Sequence, residues 1–176
     1  MVTRLLHLAR RFFGSLRPGG PSAEGQRWAE SLLVPKEQVI WCALSGPDRR
    51  HSVDVAKRVQ ADLGSQATRP ILAAALLHDC GKLQSRLRTP GRVAATILGA
   101  TVVRTSTEVK DWSSSTSSWK RSVGRYRDHP EGGAQMLVEA GSDPITVAWT
   151  REHHLSSSHW TLDPVVAKAL HRADDD

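Results

Sequence analysis

The sequence is short of several things, and each shortage removes a class of protein. It has two cysteines in 176 residues, Cys42 and Cys80, with no CxxC spacing. Neither a disulfide framework nor a zinc ribbon holds such a chain together, and a reducing cytoplasm is the expected compartment. No apolar run approaches the ~20 residues a membrane-spanning helix needs. No segment alternates with period two for long enough to make a convincing strand, and no unit repeats. Acidic residues are outnumbered, with 18 Asp and Glu against 24 Lys and Arg, a formal net charge of +6. That excess favours anionic partners: nucleotides, nucleic acid or an anionic membrane surface. The charge is spread along the chain, so nucleic acid is less favoured than a small anion.

What remains is an ordinary globular composition, 39% hydrophobic and 24% charged, and a length that fits one domain with a real core. The expected division is a basic segment with a Pro/Gly linker over residues 1–21 and one helical domain over 22–176. The first seventeen residues contain no acid. As a helix they would place Val2, Leu5, Leu6, Ala9, Phe12, Phe13 and Leu16 on one face, with Arg4, His7, Arg10, Arg11 and Arg17 opposite or flanking it. Arginines interrupt every apolar core a secretory signal would need. The Arg10-Arg11 pair lacks the apolar segment that follows a twin-arginine signal. Three readings stay open: an organellar transit peptide, an interfacial helix giving peripheral membrane contact on anionic lipid, and a helix docked on the domain itself, the plainest of the three.

The body reads as helices divided by Gly and Pro. The pattern predicts helices over Ala23–Leu33 and Lys36–Leu44, and one from Gly46-Pro47-Asp48 to about Leu63, stopped by Gly64. Arg69–Leu77 is nearly all apolar and predicts a buried helix. Val93–Val103 predicts another. The Ser/Thr run between Trp112 and Trp119 predicts a loop or frayed helix across 105–120. Asp128, with Glu131 three residues on, predicts a capped helix start, and that helix ends at Gly141. Asp143-Pro144 and Asp163-Pro164 each read as an N-cap followed by Pro at the first helical position.

Several of these helices carry His and Asp where burial would be expensive. The apolar run from Ile71 ends directly in His78-Asp79, before Cys80-Gly81-Lys82. A buried helix that finishes in adjacent imidazole and carboxylate needs compensation, and a metal ion supplies it. The nitrogen–oxygen mixture suits Fe, Mn, Zn or Ni better than Ca. His51 shares the helical face of Val55, Val59 and Leu63, which points it at the core. His129 opens its helix, where capping is the plain alternative. His153-His154 ends another helix. Asp174 lies on the face of Val166, Leu170 and Ala173, at a helix end whose dipole disfavours an acid. A frayed acidic tail is the alternative there. Each placement has a bland explanation alone; one metal centre built from separate helices explains them together. Cys80 reads as packing, and His7, His159 and His171 as surface.

The order His51, His78-Asp79, His129, His153-His154, Asp174 resembles the HD-domain superfamily of metal-dependent phosphohydrolases. Arg50-His51-Ser52 leads a segment of the form HxxxVAxxV, and Ala74–Lys82 reads AALLHDCGK, close to the family's signature. His129-Pro130 with Gly133 and Leu137 is similar to a segment of the HD-GYP subgroup. The resemblance covers roughly Asp48 to Asp174. The chain departs from that subgroup after the histidine pair, where Leu155-Ser156-Ser157 stands in place of Glu and the Gly-Tyr-Pro element, so hydrolysis of cyclic di-GMP is not supported. The span from Lys82 to His129 is also longer, which predicts an insertion or lid around 83–127.

The resemblance implies an all-α, HD-type helical bundle and one or two divalent transition-metal ions. It implies a first site of His51, His78, Asp79 and Asp174, and a second of His129, His153 and His154, with Asp79 bridging and taking part in catalysis. A metal-bound water, with its pKa lowered toward ~7, would attack phosphorus, and two ions ~3.5–4 Å apart would hold the phosphoryl oxygens. Lys82 would act with it by approaching a phosphate oxygen, unless it is an ordinary solvated lysine. Lys120, Arg121, Arg125 and Arg127 would steer an anion if they are more than a solvated face. The expected activity is hydrolysis of a phosphomonoester or phosphodiester in a nucleotide or similar small anion. The alternative is a non-catalytic nucleotide-binding or signalling module of the same fold, tethered by its N-terminal helix.

Overall fold

A computed structural model describes residues 19–85, Leu87 and 105–175. Among these residues the chain is built from nine α-helices and three short 3₁₀ turns, without a strand. The helices are α1 (Ala23–Leu32), α2 (Pro35–Ala43), α3 (Gly46–Leu63), α4 (Arg69–Leu77), α5 (Ser106–Ser113), α6 (Ser118–Arg127), α7 (His129–Ala140), α8 (Pro144–Glu152) and α9 (Pro164–Asp175). The all-α class expected from the sequence is what the structure shows. The segment 1–17 and the predicted helix Val93–Val103 lie outside the described residues. No described helix is long and apolar enough to cross a membrane.

The helix ends follow local chemistry. Ser22 Oγ accepts from the Gly25 amide at 3.1 Å. Asp143 Oδ1 accepts from Ile145 N, and Asp163 Oδ1 from Val165 N, each at 2.9 Å. The two aspartates are N-caps the sequence announced, each with Pro at the next position. Gly141 closes α7 in the left-handed conformation, φ 75°, as a helix-ending glycine should.

The central element is α4. Every residue from Ile71 to Leu77 is buried, each large aliphatic side chain contributing roughly 1.5–3 kcal/mol of gross stabilisation. Helix α3 packs on one side of it and α8 on another, with α1 and α2 also in contact. Trp41 and Trp149 fill the remaining volume, and the Trp41 indole N–H is satisfied by Ser52 Oγ at 2.9 Å. Helix α9 lies against α3, and α7 lies against α8 and the turn Cys80–Ser85. The C-terminal end of the central helix is thereby enclosed by three other elements.

Two expectations are corrected. Within residues 105–120 the loop is confined to Ser114–Ser117: the rest is mostly α5 and the start of α6, which pack as a hairpin. Thr105 Oγ1 accepts from Glu108 N and Glu108 Oε2 accepts from Thr105 N, a complete capping box. The Trp112 and Trp119 rings meet edge to face across the hairpin, centroids 5.3 Å apart. The flanking tryptophans are what order the serine run between them. Second, Asp128 makes no side-chain cap on α7. Its position is as expected: Asp128 O accepts from Gly132 N at 3.0 Å as the N-cap residue of α7, while its amide donates to Gly124 O at 2.9 Å, so one residue ends α6 and starts α7. Glu131 turns instead to Arg151, 2.9 Å away.

The turn after Asp79 reaches α7 through a glycine contact. A Cβ on Gly81 would lie 1.9 Å from His129 O and 2.6 Å from Gly133 N, and one on Gly133 would lie 2.9 Å from Gly81 N. Backbone meets backbone, so neither side can yield cheaply. This crossing sets how close His129 comes to Asp79. Gly81→Ala is therefore expected to cost about 1–3 kcal/mol or more through overpacking, read as a lower urea midpoint. A midpoint equal to wild type would contradict the crossing.

Candidate metal centre

The C-terminal ends of four helices converge at one point. His78 follows the last residue of α4, His153 follows the last residue of α8, His129 comes two residues after α6, and Asp174 is in the last turn of α9. The final carbonyls of a helix lack intrahelical partners and carry partial negative charge. Three imidazoles use those carbonyls in the same way. His78 Nδ1 pairs with Ala75 O at 2.9 Å, His129 Nδ1 with Tyr126 O at 2.7 Å, and His153 Nδ1 with Thr150 O at 2.8 Å. A carbonyl only accepts, so each Nδ1 carries the proton, and in a neutral ring Nε2 is left with its lone pair.

Those three Nε2 atoms are buried, and none has a hydrogen-bond partner. They face carboxylates at distances just beyond, or angles unsuited to, a hydrogen bond. His129 Nε2 lies 3.3 Å and His153 Nε2 3.8 Å from Asp79 Oδ1. His78 Nε2 lies 3.5 Å from Asp79 Oδ2 and 3.4 Å from Asp174 Oδ1. His51 Nε2 reaches Asp174 Oδ1 at 3.0 Å. One group, Asp79, His129, His153 and His154, and a second, His51, His78 and Asp79, each bring their ligand atoms within 4.8 Å of one another. The structure thus gathers all seven residues named from the sequence, with Asp79 common to both groups and Asp174 joined to the second through His51 and His78. Buried, converging lone pairs beside carboxylates are the donor set a transition-metal ion takes, and this His/Asp group could hold one.

Without an ion, charge decides which of these nitrogens holds its lone pair at neutral pH, and that of His78 does not. Burial works against ionised Asp79, but Lys82 and His78 outweigh it and hold the carboxyl well below its usual range. Burial would likewise lower His78, yet the charges of Asp79 and Asp174 prevail and push it up to about 10. His153 is held well below its ordinary value by burial and the neighbouring His154. An edge of His154 is open to solvent, but its ring stands 4.0 Å from that of His153 and 5.1 Å from that of His129. Desolvation against these rings, followed by the charge of His129, brings it down to about 4. Burial and the adjacent Asp79 drive the Cys80 thiol up to about 12, which agrees with a packing role.

Not every expectation joins the centre. Lys82 is there, as the ion-pair partner of Asp79 Oδ2. Of the basic residues on α6, Arg121 is tied to the carbonyls of Ser115 and Thr116, while Lys120, Arg125 and Arg127 are exposed. His159 is at the surface with Ser156 and Ser158. A cavity of about 300 Å³, lined by Leu32, Glu37, Arg69 and Thr146 among others, lies at the opposite end of α4 and contains none of the seven.

Sequence reasoning missed Glu152. It is 6% exposed, and its carboxylate accepts from Thr161 N at 2.7 Å and Thr161 Oγ1 at 2.6 Å. That bond folds the loop after His153-His154 back against the end of α8. Its one sequence cue was its place immediately before the histidine pair. Comparison of the chain with protein-family models, curated proteins and solved structures found no match.

A metal ion held here would have to displace the extra proton of His78. The charge His78 holds up to about pH 10 contributes stability that is complete below the ordinary histidine value of 6.5 and is lost as pH rises through about 10. A metal ion would take over that role, so apparent metal affinity is expected to rise with pH between about 6 and 9, with release of about one proton from His78. Calorimetric titrations in buffers of different ionisation enthalpy count the protons. An affinity that is flat with pH and releases none would contradict the ligand assignment.

Proposed function

We propose that the chain is a metal-dependent phosphohydrolase of the HD type, acting on a phosphomonoester or phosphodiester in a nucleotide or similar small anion. The observation that carries the reading is the set of three buried, unpartnered Nε2 atoms of His78, His129 and His153 around Asp79. Structural histidines in a core find hydrogen-bond partners; these have their second nitrogens fixed by carbonyls and their first nitrogens aimed at a shared carboxylate. In this reading the ions number two. His51, His78, Asp79 and Asp174 would hold one, and His129, His153, His154 and Asp79 the other.

Divalent ions supply Lewis-acid polarisation of phosphoryl oxygens and an activated water nucleophile. The residues of the chain do the rest. The backbone carbonyls of Ala75, Tyr126 and Thr150 fix ring tautomer and orientation, as second partners of metal-binding histidines do. Asp79 presents Oδ1 to one group and Oδ2 to the other, which suits it to bridge. Lys82, paired with Asp79 Oδ2, supplies a cation within reach of a bound phosphoryl group. Solvent access at His154 gives the side from which a small anion enters, and the net charge of +6 favours its approach. The exposed Lys120, Arg125 and Arg127 on α6 lie on the helix that leads into His129.

The test has two parts. Protein purified without added metal or chelator is expected to carry one or two transition-metal ions per chain by elemental analysis, and the His78→Ala/Asp79→Ala double variant about none. The loaded protein is expected to hydrolyse p-nitrophenyl phosphate or its bis ester, with at least about a hundredfold loss in the variant or with chelator. Bound metal with nucleotide binding but no phosphate release would favour the signalling module instead. A wild type that neither carries nor takes up Mn, Fe, Ni or Zn would defeat the proposal.

A further inference from the structure

The centre contains a cation of its own. Lys82 is 15% exposed, and its Nζ is in ion-pair contact with Asp79 Oδ2, its one ion-pair partner among the described residues. Oδ2 is also the oxygen that faces His78 Nε2 at 3.5 Å, whereas Oδ1 faces His129 and His153. Lys82 therefore sits on the very oxygen that an ion shared with His78 would use. Two cations on one carboxylate oxygen repel strongly at this separation in a partly buried site. The lysine stem is anchored in the turn Cys80–Ser85, so a displaced ammonium stays at the mouth of the centre, with Tyr126 and Asp48 within electrostatic range.

We propose that Lys82 is an exchangeable counter-ion: it neutralises Asp79 when no metal is bound, and the incoming metal displaces it, freeing its ammonium to bind phosphoryl oxygens. Metal loading then creates the anion site, and the two ligands strengthen each other's binding by the same factor. This rests on the metal-centre reading above. It adds an order to that reading, with metal first and phosphate second, and a cause for the order. It also gives one variant two effects of opposite sign. Removing the lysine charge relieves competition for Asp79 and tightens metal; the same change removes the cation that holds phosphate. A lysine that merely supports the turn would weaken both or neither.

The experiment compares wild type with Lys82→Gln. Free Mn(II) is counted by electron paramagnetic resonance during titration of metal-stripped protein, and inorganic phosphate is then titrated calorimetrically into metal-free and Mn(II)-loaded protein. Lys82→Gln is expected to bind Mn(II) at least about tenfold more tightly, the like charge being gone. Its loaded form is expected to bind phosphate at least about tenfold more weakly, having lost a charge-assisted bond. Wild type is expected to bind phosphate only when loaded, and phosphate to tighten Mn(II) reciprocally. Lys82→Arg keeps the charge, so wild-type-like Mn(II) affinity is expected of it. Unchanged or weaker Mn(II) binding by Lys82→Gln, beside normal loading of wild type, would overturn the exchange while leaving the metal centre standing. If Lys82→Gln does not fold, a wild-type Mn(II) affinity indifferent to phosphate overturns it as well. Wild type that takes up no metal would remove both the exchange and the reading beneath it.

Discussion

Three bonds from imidazole Nδ1 to the carbonyl three residues earlier set the character of this molecule. Each satisfies a helix C-terminal carbonyl that would otherwise be orphaned, and each fixes which ring nitrogen carries the proton. The same bond thus ends the helix neatly and aims a lone pair outward. Repeated at His78, His129 and His153, it turns three helix ends into three ligands. The ends of α4, α6 and α8 place partial negative charge there, offset in part by the N-terminus of α7, which His129 opens, and Asp79 and Asp174 add formal charge. A site so arranged is costly to bury without a cation, and the rest of the fold holds it in place despite that cost.

The holding is done by α4 and by the glycine crossing. Because Ile71 through Leu77 are all buried, the position of His78-Asp79 follows from core packing and not from a mobile loop. The Gly81–Gly133 contact then brings α7, and with it His129, to the distance that packing allows. The Glu152–Thr161 bonds close the loop behind His153-His154, and Arg58 donates to Ala173 O at 3.1 Å, tying α3 to the end of α9 beside Asp174. Ligands far apart in sequence are therefore positioned by rigid elements, as a preorganised site requires.

Much of this was legible in the sequence, for identifiable reasons. His51 and Asp174 could be read because helical periodicity assigns a face, and the face of Val55 and Val59, like that of Leu170 and Ala173, is indeed buried. The starts of α8 and α9 could be read because an Asp-Pro pair encodes cap and first turn locally. Of residues 105–120 only the Ser114–Ser117 turn is the loop expected; the helices on either side were missed because Trp112 meets Trp119 across a serine-rich spacer that suggests no order. Asp128 stands at the N-cap of α7 as read, but without its side-chain bond, because a cap motif does not reveal that the same residue also closes the preceding helix. Glu152 was invisible, since its bonds to Thr161 depend on how the following loop folds back; the ion pair of Lys82 with Asp79, three residues apart, was a local spacing that went unread. The orphaned Nε2 atoms, which carry the functional argument, cannot be read from any spacing.

The most direct test is anomalous diffraction from crystals of the protein loaded with Mn(II) or Zn(II), recorded at the absorption edge. The account predicts at least one peak at ~2.0–2.2 Å from Nε2 of these histidines, with Asp79 among its ligands. Crystals soaked to saturation that show no peak there, with His78, His129 and His153 Nε2 bonded to water or to protein groups instead, would contradict it.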